Sequence, residues 1–127
     1  MKENIESFSI KNRIKSFKHA IDGIVELFKS QHNARIHLLA TSLVILTGFL
    51  LSISAFEWCL LILSVALVFV TEALNTGLEF VCDVASPEIH PLIKKSKDVA
   101  AGAVLISSIS AVLIGLIIFI PYISAIL

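Results

Sequence analysis

The chain reads as an all-α membrane protein: an N-terminal amphipathic surface helix and three transmembrane helices, forming a homo-oligomeric helical bundle. Three observations predict this. Apolar residues make up 57% of the 127, well above the share in an ordinary soluble domain, and the mean hydropathy is +0.93. Only 16% of residues are charged, and all ten Lys and Arg fall before residue 36 or within Lys94–Lys97. Between and beyond these clusters run uncharged stretches long enough to cross hydrocarbon. The length allows one domain, 1–127. Nucleic acid is excluded as a partner, because no basic surface is left once the spans are set aside.

Met1–Ser7 is polar and reads as a frayed start. From Ile10 the apolar residues Ile14, Phe17, Ile21, Ile24 and Phe28 recur at alternating intervals of four and three, which is a helical period. Lys11, Lys15, Lys18, Asp22 and Lys29 occupy the opposite face. That division predicts a helix over about 9–29 lying on the membrane surface. No cleavable signal peptide is expected, since more than thirty amphipathic residues precede the first apolar run.

Gln31 to His37 reads as a link to the first span, placed at about 37–56. Ser52 to Glu57 reads as a tight turn without Lys or Arg. The second span is placed at about 58–82. A short loop follows, with Ser86-Pro87 as a turn signal and Pro91 suited to the first turn of a new helix. Lys94, Lys95, Lys97 and Asp98 open that helix, whose span is placed at about 98–120 with Pro121 as its stop. Ala100-Ala101-Gly102-Ala103 gives it a small-residue face for close helix approach. Cys59 and Cys82 form no CxxC and read as buried, reduced thiols. The Lys/Arg distribution orients the chain by the positive-inside rule: N-terminus and residues 83–97 cytoplasmic, C-terminus outside.

Function concentrates at the end of the second span. Glu72, Glu79 and Asp83 fall within about 40° of one another on a helix and line a stripe about 16 Å long. Asn75 and Thr76 flank them. A central carboxylate costs about 2.5–3.5 kcal/mol on insertion scales, so such groups face a cavity, a partner charge or a metal. Lys94, Lys97, Asp98 and Ala101 share one face of the third helix near its start, a setting that favours a bound polyanion such as a nucleotide phosphate. Carboxylates beside lysines suit a divalent cation holding phosphates, and a deeper carboxylate suits a base toward a lipid hydroxyl. No P-loop and no protein-kinase signature is present. His19, His32, His37 and His90 lack metal-ligand spacing and are expected near headgroups.

Glu72 to Glu79 (EALNTGLE), Asp83, Ser86 to Pro91 (SPEIHP) and Lys94 to Val104 (KKSKDVAAGAV) resemble the prokaryotic diacylglycerol kinase family, most nearly its undecaprenol kinase branch. Ser16-Phe17-Lys18 and Asn33 to His37 extend the likeness, which runs from about Arg13 into the third span. The resemblance implies a homotrimeric lipid kinase of the bacterial cytoplasmic membrane, using MgATP to phosphorylate a lipid alcohol such as diacylglycerol or undecaprenol. It implies Glu72 as catalytic base, also touching substrate, and Asn75 as a residue ordering the site. Glu79 and the residue at Gln31 would hold magnesium. Glu79, Asp83, Glu88, Ile89, His90, Lys97 and Asp98 would meet ATP, and Ala101 the lipid.

One position departs: Gln31 stands where the family has a second metal-binding glutamate. Its amide oxygen still coordinates but brings no charge. The metal then leans on Glu79 and the phosphates, or meets Gln31 through water, or the enzyme is weakened. The family's aromatic near the nucleotide aligns only loosely with His19, and that role is not carried over. A rival reading, a small proton- or cation-conducting protein with Glu72 and Glu79 as relays, needs a polar outer half-span. Leu60 to Val70 offers only Ser64.

Overall fold

The computed structural model describes residues 7–86 and 88–127. Four helices follow in order: α1 (Ile10–Ser30), α2 (His32–Leu51), α3 (Ala55–Ala85) and α4 (Pro91–Ile126). The last three are long and apolar enough to span a membrane. The polar start at residues 1–6 and Pro87 of the expected turn lie outside the described residues.

α1 begins at Ser9, whose side chain accepts the Asn12 N–H at 3.4 Å. Most of its apolar stripe does not pack on the rest of the chain; its C-terminal end does, through Leu27 and Phe28. Ile10, Ile14, Phe17, Ile21 and Ile24 are all exposed, and only Leu27 is buried. A face of that kind fits lipid rather than a soluble core.

The expected link over 31–37 shrinks to Gln31 alone, in extended backbone, because His32 already begins α2. Arg35 makes so short a junction workable. Its Nε donates to the Phe28 carbonyl at 2.7 Å and its Nη2 to the Lys29 carbonyl at 2.5 Å. These are among the last carbonyls of α1, which have no intrahelical donor.

The first span stops at Leu51, not at residue 56. Ser52 takes left-handed backbone (φ 52°, ψ 50°), and the Ile53 N–H closes back on the Gly48 carbonyl at 3.2 Å. Ser54 then starts α3 with a reciprocal capping box. Its Oγ accepts the Glu57 N–H at 3.2 Å, and Glu57 Oε2 accepts the Ser54 N–H at 2.8 Å. Phe56 therefore belongs to the first turn of α3. Trp58 folds back over Gly48, where an added Cβ would lie 2.7 Å from the indole Cη2. Glycine is required there by space, not by dihedral angle.

α3 and α4 make the most extensive pairing in the chain. At mid-span Thr71 Oγ1 and Ser107 Oγ share a hydrogen bond of 2.8 Å, and at the far end Tyr122 Oη donates to Glu57 Oε2 at 2.6 Å. Near that end Ile53, Leu61 and Ile118 form a small apolar core. Pro121 does not stop α4, which runs on to Ile126. A proline deletes one backbone donor to the residue four before it and bends the helix, and membrane helices absorb that change. Cys82 is buried as expected, but Cys59 is exposed on this chain, because it lies on the outward face of the first turns of α3.

At 1.5 Å per residue, α3 is about 46 Å long and α4 about 54 Å, both longer than the roughly 30 Å hydrocarbon layer. The C-terminal turns of α3 and the N-terminal turns of α4 lie side by side and carry most of the candidate site residues.

Candidate active site

The acidic stripe of α3 is graded in depth. Glu72 is 1% exposed, Glu79 is half-buried and Asp83 is exposed. Asp83 reaches α4, accepting a hydrogen bond from Lys97 Nζ at 2.8 Å. One turn earlier on α4, Lys94 Nζ meets Asp98 Oδ2 at 2.6 Å. Exposed pairs of this kind contribute little to stability, so a triphosphate entering here would exchange them at small cost.

These four residues line a cavity of about 540 Å³ at the α3–α4 connection. Glu88, Ile89 and His90 line it too, so it gathers every residue expected at ATP except Glu79. Local chemistry builds the far wall. Ser86 Oγ donates to the Glu88 carbonyl at 2.8 Å, tightening the loop, and His90 caps α4 by accepting the Leu92 N–H on Nδ1 at 3.2 Å. A ring that accepts on Nδ1 carries its proton on Nε2, so His90 keeps a donor for a ligand. Pro91 occupies the first helical position, as its turn signal predicts.

Deeper along α3, Asn75 Nδ2 donates to Glu79 Oε1 at 3.3 Å, orienting that carboxylate. Among the described residues, three buried side-chain oxygens of this stretch have no hydrogen-bond partner: Glu72 Oε2, Asn75 Oδ1 and Thr76 Oγ1. Buried polar atoms are rarely left unpaired, at about 1–3 kcal/mol each. Three such oxygens within five residues leave acceptor capacity here that a ligand could use.

His37 was expected near the headgroups. It lies against the stripe, with Nε2 3.8 Å from Glu72 Oε2 and its ring edge-on to Phe69. The sequence signal for it was the likeness over Asn33 to His37, which carried no role for the histidine. His37 and Asn33 of α2 also line a groove of about 280 Å³ with Ala101 and Ser108 of α4. Ala101, expected at the lipid, therefore shares a groove with the histidine that faces the expected base.

Gln31 sits at the α1–α2 junction, and no cluster of three or more His, Cys, Asp or Glu able to hold a metal exists among the described residues. A half-buried Glu79 with one oxygen fixed by Asn75 nevertheless fits magnesium, which takes one or two carboxylates and fills its remaining sites with water and phosphate oxygens.

A match to the prokaryotic diacylglycerol kinase family extends over residues 18–119, most of the chain. The chain belongs to that family. It is 40% identical over 107 residues to the undecaprenol kinase of Bacillus subtilis, covering 84% of this chain and 87% of that one. The diacylglycerol kinase of Synechocystis is 40% identical over 111 residues, 87% of this chain and 63% of that one. The diacylglycerol kinase of Helicobacter pylori strain J99 is 33% identical over 113 residues, 83% of this chain and 88% of that one. As a member of this family the chain is a lipid kinase, embedded in a membrane through three apolar helices.

Proposed function

We propose that the chain, a single domain over 1–127, transfers the γ-phosphate of MgATP to the hydroxyl of a membrane lipid alcohol, either diacylglycerol or undecaprenol, at the cytoplasmic interface. One observation carries this reading. A buried carboxylate whose Oε2 has no partner among the described residues, Glu72, stands on the same helix face as an acidic run that ends in a lysine-lined cavity.

Nucleotide phosphates enter the cavity beside Lys97 and Lys94, whose carboxylate partners Asp83 and Asp98 yield to them. His90 Nε2, Glu88 and Ile89 meet the nucleoside side. Glu79, oriented by Asn75, would hold magnesium with Gln31 contributing an amide oxygen directly or through water. Magnesium so held supplies charge neutralisation across the phosphate oxygens. The lipid lies along the groove at Ala101 with its hydroxyl toward Glu72. Glu72 takes the hydroxyl proton, the oxygen bonds to the γ-phosphorus in line, and the bond to ADP breaks.

Lys/Arg clustering supports a topology with the N-terminus and the α3–α4 connection in the cytoplasm of a bacterium and the C-terminus outside. Neighbouring copies in a homotrimer shield the site from water, which three spans alone cannot do, and the many exposed apolar side chains give them surface to pack on. Purified protein in micelles with MgATP tests the reading. ADP release that appears only when diacylglycerol or undecaprenol is added supports it, and release that ignores both lipids contradicts it.

A further inference from the structure

Glu72 cannot act as a base unless something holds it, and its own helix leaves one oxygen free. Oε2 is buried with no hydrogen-bond partner among the described residues, and the residue facing it from another helix is His37. The separation of 3.8 Å is ion-pair range and roughly 0.8 Å beyond an ordinary N–H···O bond. A small rotation of either side chain closes that gap.

The His37 ring is held in place from behind. It stands edge-on to Phe69 (centroids 6.5 Å apart, planes at 84°), and Phe69 packs edge-on to Phe28 of α1 at 5.8 Å. The surface helix thus braces the histidine through one phenyl ring. On its other side His37, 23% exposed, forms a wall of the groove that carries Ala101. It stands between lipid groove and carboxylate. Glu79, farther along the same face of α3, belongs to the proposed metal site.

We propose that His37 is the positioning residue for Glu72: its Nε2–H binds Oε2 as the site closes, fixing the carboxylate so that its second oxygen faces the lipid hydroxyl. This rests on the reading of Glu72 as the base. Loss of the contact leaves a misaimed carboxylate, and misplacement by about 1 Å costs on the order of 10²-fold in rate.

His37→Gln and His37→Asn separate reach from polarity, because the glutamine amide nitrogen lies where Nε2 does and the asparagine nitrogen falls short of it. Steady-state kinetics on both variants, with oligomer size checked by gel filtration, decide the matter. His37→Gln should keep kcat within about threefold of the parent, while His37→Asn should lose about 10²-fold in kcat with KM for MgATP unchanged. Equal kcat in the two variants, or a loss appearing only in KM for MgATP, would overturn the proposal. Glu72→Gln serves as the control. If it is inactive while His37→Asn turns over normally, the positioning role alone fails; if Glu72→Gln itself turns over normally, the base reading fails.

Discussion

Replacing Glu72 with glutamine should move activity and stability in opposite directions. The substitution keeps shape and volume at a site that is 1% exposed, so it opens no cavity. It removes a group that general-base catalysis uses for about 10²–10⁴-fold in rate, so kcat should fall by that factor while KM for MgATP stays near the parent value. Stability should hold or rise. Oε2 has no partner among the described residues, and an ionised carboxylate in a span costs about 2.5–3.5 kcal/mol on insertion scales, a burden the amide avoids. The gain will be smaller than that figure, because the buried amide must itself find partners at this site. Thermal unfolding in detergent beside steady-state ADP release reads both quantities. A structural carboxylate would show the reverse pattern. A midpoint that drops by several degrees with turnover preserved refutes the assignment, and so does preserved turnover at an unchanged midpoint.

Three further outcomes follow from the geometry. Lys97→Met should raise KM for MgATP by about tenfold, the share of one charge-assisted hydrogen bond to phosphate, while KM for the lipid stays put; unchanged nucleotide kinetics would remove Lys97 from the cavity's function. Gly48→Ala should destabilise by about 1–3 kcal/mol, because its Cβ would stand 2.7 Å from a Trp58 ring already packed at a tilt against Phe49, and a variant as stable as the parent in chemical denaturation would show that the α2–α3 turn is loosely packed. Gln31→Glu should lower the magnesium concentration giving half-maximal rate, and an unmoved magnesium titration would place residue 31 away from the metal.

Element existence was legible because periodicity and charge are strong signals here. The alternating intervals from Ile10 to Phe28 predicted α1, and the uncharged runs predicted the spans. The ends were harder, because what sets them is tertiary. The tight turn expected from Ser52 was legible, but the end of α2 at Leu51 and the left-handed backbone of Ser52 were not, since they go with Trp58 packing over Gly48. Arg35 as a cap for the preceding helix could not be read either, for its partners are backbone carbonyls of Phe28 and Lys29. Pro121 is an ordinary stop signal that α4 passes through.

The candidate site divides in the same way. The spacing of Glu72, Glu79 and Asp83 on one face was visible, and so was the lysine-bearing start of α4. The cavity joins Asp83 and Lys97 through residues expected together. The gradient from buried Glu72 to exposed Asp83 was not visible, because depth depends on how α2 covers the middle of α3. The facing of His37 on Glu72 was hidden for that reason: the likeness over Asn33 to His37 includes the residue, but its partners appear only once α2 is packed on Phe69 and Glu72.

The central claim is phosphoryl transfer from nucleotide to lipid, and the label itself tests it most directly. With γ-radiolabelled MgATP and the purified chain in micelles, the label should enter the organic phase as a lipid monophosphate, in step with ADP formed. Label that stays in water as inorganic phosphate, with both lipid alcohols present, would contradict the account.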